Sequence, residues 1–217
     1  MIRDSRRIRW VFAALGFAVA LAAAPTAEAE AQTAPAALIE GFRSAKFGAD
    51  EKALRLAIKA DFGLDGKSVV AQENPIEKTT TLLVNLDILE PGGRAQIAYI
   101  LGYKTKKLIQ VNVVWGAPAD PGASVESLSG TAVTLRNYFI QQAFAADRRQ
   151  QDQRLADGSL LFFQGTDAKG RQVSLHLFGA QVPGKEGDEP KSAFSLRLSY
   201  IANPQAPDIF QLKPGAF

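Results

Sequence analysis

The chain has 217 residues, 47% of them hydrophobic and 22% charged, with 25 Lys+Arg against 22 Asp+Glu for a formal net charge of +3. These values describe a globular protein and exclude a collagen, a coiled coil and a disordered chain. The absence of cysteine excludes a disulfide scaffold, and +3 over this length is a mixed surface that carries no expectation of nucleic-acid binding.

The N-terminus carries a sorting signal. Arg3, Arg6, Arg7 and Arg9 form a positive region, Trp10 to Ala24 is an apolar run, and Ala27-Glu28-Ala29 and Ala29-Glu30-Ala31 are small-residue cleavage sites. This three-part pattern predicts a secretory signal peptide over residues 1–31, with cleavage near Ala29 or Ala31 and a periplasmic or secreted mature protein. The rival reading is an uncleaved anchor, but the apolar run is short for a membrane span. Ser5-Arg6-Arg7 is similar to a twin-arginine signal, yet Arg9 stands where that motif has an aromatic or apolar residue, so general secretion is expected. Without cysteine, lipid anchoring at that residue is excluded. The mature chain of about 186 residues is long enough to bury roughly 70% of its unfolded surface without staples. It contains no further membrane span.

Residues 32–40 are rich in Ala and Pro and are expected to be a flexible lead-in. Asp50 is the best N-cap for a first helix, with Leu54, Ala57 and Ile58 on one face and Gly63 and Gly66 at its end. The period then changes to two. Thr79–Leu89 places Leu82, Val84, Leu86 and Ile88 on one side. Ala95–Gly102 alternates Ile97, Tyr99 and Leu101. Leu108–Trp115 turns Ile109, Val111, Val113 and Trp115 inward, with Gln110 and Asn112 outward. One wet face indicates antiparallel strands. Glu90-Pro91-Gly92-Gly93 and Tyr103–Lys106 read as the connecting turns.

After a linker at 117–123, the residues Leu128, Ala132, Leu135, Phe139, Ala143 and Ala146 form a helical stripe that ends in a polar run, Asp147–Asp152. Strands are predicted at Ser159–Gln164, Gln172–Ala180 and Ala193–Ala202, with a hairpin turn at 166–170, a charged loop at 181–191 and an extended tail from Asn203 to Phe217. The order is a helix and three strands, twice. It predicts an α+β protein with units at 41–116 and 124–202, antiparallel sheet or sheets, and helices packed on one face.

Chemistry-bearing motifs are few. There is no nucleophile elbow, phosphate loop or dinucleotide fingerprint. Zero Cys and one His give no set for the usual zinc or iron sites, and no cofactor or metal is expected. His176 is read as a strand residue on the wetter face, because Leu175 and Leu177 alternate with it, the alternative being a general base or a member of a Ser-His-Asp triad. Asp61-Phe62-Gly63 matches the kinase magnesium tripeptide by letters alone. Glu186, Asp188 and Glu189 lie in one loop flanked by Lys185 and Lys191, and read as solvated. The most suggestive surface is the turn with Tyr103, Lys104, Lys106 and Lys107, which reads first as a polar turn kept soluble by its lysines and alternatively as a site where an aromatic ring and cations together suit an anionic partner such as lipid headgroups, glycan or nucleic acid. Tyr99 and Trp115 are core candidates that could alternatively line a groove.

Gly41-Phe42-Arg43-Ser44-Ala45-Lys46-Phe47-Gly48 followed by a capped helix resembles the start of small exported bacterial α+β proteins. It is similar in pattern to the outer-membrane assembly lipoproteins of the small-protein-A type and to the tandem-repeat β-lactamase inhibitor proteins. The chain departs from the first in lacking the lipidated Cys and from the second in lacking Cys pairs. The resemblance implies a fold that works by binding other proteins, and it assigns no functional residue. The function expected is a non-catalytic envelope-assembly or protein-binding module with an envelope protein as partner. The alternatives are an envelope hydrolase with a dispersed site and a carrier of a small apolar ligand.

Overall fold

The computed structural model describes residues 36–182, 191–212 and 215. The expected signal peptide and the carboxylates Glu186, Asp188 and Glu189 lie outside the described residues.

A two-residue hairpin comes first, β1 (Gly41–Phe42) and β2 (Ala45–Lys46). Helix α1 (Glu51–Phe62) then starts where its cap chemistry dictates. The Asp50 carboxylate accepts from the Ala53 N–H at 3.0 Å, and Glu51 complements the positive helix end. Gly63 at φ +70° ends it, its N–H donating to the Lys59 carbonyl at 2.8 Å. Leu54 and Ile58, one turn apart, are buried. Gly66 belongs to a separate 3-10 turn, Gly66–Ser68. Four strands follow as a meander: β3 (Val69–Glu73), β4 (Thr80–Leu86), β5 (Ala95–Leu101) and β6 (Leu108–Gly116).

The second half repeats this order. Helix α2 (Val125–Ile140) is capped by the Ser124 hydroxyl, which accepts from the Ser127 N–H at 3.1 Å. A 3-10 turn, Ala146–Arg148, leads into β7 (Arg149–Arg154), β8 (Leu160–Thr166), β9 (Gln172–Val182) and β10 (Lys191–Ile201). All eight long strands form one antiparallel sheet in the order β3-β4-β5-β6-β10-β9-β8-β7. The two meanders join through β6 and β10, from Ser195 opposite Gly116 to Ile201 opposite Gln110. The sheet's center is apolar along a row of directly opposed residues, Val84, Ile97, Val113, Leu198 and Leu175, all buried.

Each half therefore supplies four strands where three were expected, and both additional strands are sheet edges. Only Val69 of β3 is buried, and every residue of β7 is exposed. An edge strand with both faces wet shows no apolar alternation, so Arg149–Arg154 reads as a polar run. Its charges and glutamines suit an edge that must not pair indiscriminately.

Three other expectations change for physical reasons. The apolar stripe continues to Ala146, but α2 stops at Ile140, because Phe144 leaves the helical path and packs on Phe163 with ring centroids 5.6 Å apart. Ile88 is 73% exposed, since β4 ends at Leu86 before the turn. Ile109 is only half-buried, because a register shift opposite Ile100 and Leu101 pairs Leu101 with Leu108, and Leu108 takes the inward place. Residues 36–40 are anchored to the second half. The Ala37 N–H donates to the Ala143 carbonyl at 3.0 Å, and the Ile39 N–H to the Asp167 carboxylate at 3.0 Å.

Tyr99 lies wholly inside, at 0% exposure, and its hydroxyl has no hydrogen-bond partner among the described residues. Burial, with the charge of Asp61, pushes this phenol above its ordinary pKa. An unmade buried hydrogen bond costs about 1–3 kcal/mol. Tyr99→Phe removes the stranded group and keeps the ring, so it is expected to raise the urea midpoint by an amount equivalent to about 1 kcal/mol. A lowered midpoint would show that the hydroxyl is in fact hydrogen-bonded.

Candidate functional site

The connection between β5 and β6, Gly102–Lys107, is the basic turn singled out from the sequence. Its shape is set by a residue more than a hundred positions away. The Asp208 carboxylate accepts from the Lys104 N–H at 3.0 Å, the Thr105 N–H at 2.9 Å and the Thr105 hydroxyl at 2.6 Å. The Tyr103 N–H donates to the Asp208 carbonyl at 2.7 Å. Gly102 permits this approach, because a side chain there would run into the Asp208 carboxylate. Burial raises the pKa of Asp208, but the hydrogen bonds from Thr105 and Lys104 outweigh it and hold the carboxyl below its usual range.

The tail thus brings Phe210 onto the turn. Phe210 meets Tyr103 edge-on, with centroids 5.6 Å apart at 83°. The Lys78 ammonium lies over the Phe210 ring at 5.1 Å, and the Lys106 ammonium over Tyr103 at 5.9 Å. The Phe210 N–H donates to the Glu77 carbonyl at 2.8 Å, fixing Lys78 beside it. The two rings meet each other and carry one cation each, in the order Lys78, Phe210, Tyr103, Lys106. Lys104 borders a broad depression of about 590 Å³ between the turn and residues 206–212. Among the described residues, Lys78, Lys104 and Lys106 form no salt bridge, although the Lys104 charge helps hold Asp208 ionised, whereas Lys107 is paired with Asp50 at 3.3 Å.

The other two candidate residues lie elsewhere. Tyr99 and Trp115 are interior and are not part of this surface. Lys78, Asp208 and Phe210 are the residues that sequence reasoning missed. No spacing links them to the turn, and their only local signal is the Pro-rich tail that carries two of them.

His176 lies on β9 opposite Arg197 of β10. Its ring stacks on Phe178 at 5.7 Å and 28°, and the Arg197 guanidinium lies 4.4 Å over the same ring. Burial and then the Arg197 charge lower the imidazole pKa, with Asp157 opposing them. The Asp157 carboxylate accepts from the Ser159 N–H at 3.0 Å and the Ser159 hydroxyl at 2.6 Å. That hydroxyl donates to the carboxylate and not to the imidazole, which is the reverse of the nucleophile–base–carboxylate order. Asp61 accepts from the Ser44 N–H, Phe62 ends α1 and Gly63 caps it, so Asp61-Phe62-Gly63 is a helix end. Among the described residues, no cluster of three or more His, Asp or Glu could hold a metal ion, and no helix is long and apolar enough to cross a membrane.

No family model, curated protein or solved structure matches this chain.

Proposed function

We propose that the chain is an exported, non-catalytic binding module of the cell envelope, and that its cationic–aromatic turn takes an acidic segment of a partner protein. The supporting observation is the array of Lys78, Phe210, Tyr103 and Lys106 with Lys104 beside it. Among the described residues Lys78, Lys104 and Lys106 form no salt bridge, and the turn's backbone is held in place by Asp208 before any partner arrives. A preordered surface loses less entropy on binding. Ammonium groups over rings keep their charge while presenting apolar contact.

The same reading places both helices on one face of the sheet. Leu54 and Ile58 of α1 and Leu128, Ala132 and Phe139 of α2 share one buried cluster with Val84, Ile97, Val113 and Leu198. The opposite parity carries Gln96, Asn112 and Arg197, which suit a solvated face.

The test is a crosslinked pull-down of the tagged chain, expressed with its own N-terminus, beside a Lys104→Glu/Lys106→Glu variant. One stoichiometric acidic partner is expected, with recovery falling at least about tenfold in the variant and the melting temperature unchanged. The loss should shrink as salt is raised, because exposed charges are screened beyond about 10 Å at 0.1 M. Equal recovery by both forms, or a folded bait without a partner, would remove the basis for this reading.

A further inference from the structure

A second concavity, of about 260 Å³, lies between the lead-in at 37–41, the β1–β2 hairpin, the end of α2 and the sheet residues Val173 and Tyr200. Its lining mixes polar side chains with four aromatic rings, Tyr138, Phe139, Phe144 and Tyr200, which are braced from behind. Phe139 stacks on Phe163 at 5.4 Å and 17° and meets Tyr200 at 6.4 Å, and Phe144 rests on Phe163. Tyr138, 57% exposed, stands edge-on to Phe139 at 5.1 Å.

The polar groups leave one positive charge uncompensated. The Lys46 ammonium is paired with Glu40 at 3.2 Å. The Arg43 guanidinium has no carboxylate partner among the described residues. It lies over the rings of Phe62 at 4.8 Å and Phe42 at 5.6 Å, and among the described residues its N–H donors make no hydrogen bond. The Tyr200 hydroxyl makes no hydrogen bond among the described residues, and burial raises its pKa above its ordinary value. Arg43 sits at φ +51°, a left-handed conformation that suits glycine better. A side chain kept at such a position, stacked and unpaired, points to a task for that side chain.

We propose that this cleft binds a small aromatic carboxylate, with Arg43 as the group that recognises the anion and Tyr138, Phe139, Phe144 and Tyr200 as the walls around the ring. The guanidinium fork matches a carboxylate in two parallel hydrogen bonds. The volume lies just below the roughly 300–1,000 Å³ of common small-molecule sites, so the ligand is one ring and its acid group. This inference does not depend on the lysine turn.

The test is a ¹H–¹⁵N NMR titration of the mature chain with benzoate, with benzamide as the neutral isostere and acetate as the ringless anion. Benzoate is expected to shift amides in 37–46 and 138–144, and benzamide and acetate to bind at least about tenfold more weakly. Arg43→Gly should lower benzoate affinity at least about tenfold while leaving the melting temperature equal or higher, because glycine accepts the left-handed backbone. Arg43→Gln, which keeps a long side chain over the rings, should show the same loss. The proposal is overturned if benzoate leaves those amides unmoved, if benzamide or acetate binds as tightly, or if either variant retains the affinity.

Discussion

Replacing Asp167 with alanine is expected to lower the unfolding free energy by about 3–5 kcal/mol, the range seen when one partner of a buried ion pair is removed. Asp167 occupies the turn between β8 and β9 and is 2% exposed. Its carboxylate accepts from the Arg171 Nε at 2.9 Å and from three backbone N–H groups, those of Ile39 at 3.0 Å, Lys169 at 2.8 Å and Arg171 at 3.0 Å. Alanine strands all four donors, one of them on the Arg171 guanidinium, whose Nη2 already lacks a partner among the described residues. Ile39 is also where the lead-in crosses the aromatic cleft, so the same change should broaden the amide signals of 37–41. Denaturant unfolding gives the energy and NMR gives the local effect. A loss below about 1 kcal/mol would show that water replaces the carboxylate.

The pH dependence follows from the same contacts. Burial pushes the Asp167 carboxyl up, but the hydrogen bonds from Ile39, Arg171 and Lys169 prevail and hold it below its ordinary value of 3.8. The unfolded chain therefore binds this proton more readily. The contribution of Asp167 is complete above pH 3.8 and is lost as the pH falls below it. Asp167→Ala should flatten the stability profile in that acid range and leave its shape near neutrality unchanged.

Trp115→Ala is expected to cost about 3–5 kcal/mol, the usual range for emptying a large aromatic from a core. For a chain of this size that corresponds to a fall of about 6–20 °C in melting temperature. Trp115 ends the buried row of β6 at 2% exposure, and its Nε1–H donates to the Leu89 carbonyl at 3.0 Å. That carbonyl also accepts from the Gly92 N–H at 3.1 Å, so the indole braces the turn between β4 and β5. Gly92 faces the indole directly, and a side chain there would collide with it. Alanine thus leaves a cavity and frees a turn. Differential scanning calorimetry measures the result, and a change under about 3 °C would mean that the neighbouring chain closes over the gap.

Much of this architecture was legible in the residues. Asp50 and Gly63 bound α1 because a carboxylate cap and a left-handed glycine act locally. Leu82, Val84 and Leu86, and likewise Ile97, Tyr99 and Leu101, alternate because one face of their strands is buried. The same logic hid β7, whose six residues are all exposed and so carry no pattern. It also overextended α2, since Ala143 and Ala146 continue the stripe while Phe144 finds Phe163 at a position no helix reaches.

The candidate surfaces divide along the same line. Tyr103, Lys104, Lys106 and Lys107 are close in sequence, and their chemistry was visible there. The fold decided that Asp208 would shape their backbone, that Phe210 and Lys78 would complete the array, and that Lys107 would be taken by Asp50. Arg43 and Tyr200 are separated by most of the described chain and face one cleft only because β10 crosses to the center of the sheet. By itself the sequence determined the Asp50 and Gly63 ends of α1, the buried faces of β5 and most of β4 and β6, and the mixed α+β class, because these depend on neighbours within a few residues. Only the tertiary structure decided the edges of the sheet, the joining of two meanders into one sheet and the make-up of both surfaces, because these depend on contacts between residues far apart in the chain.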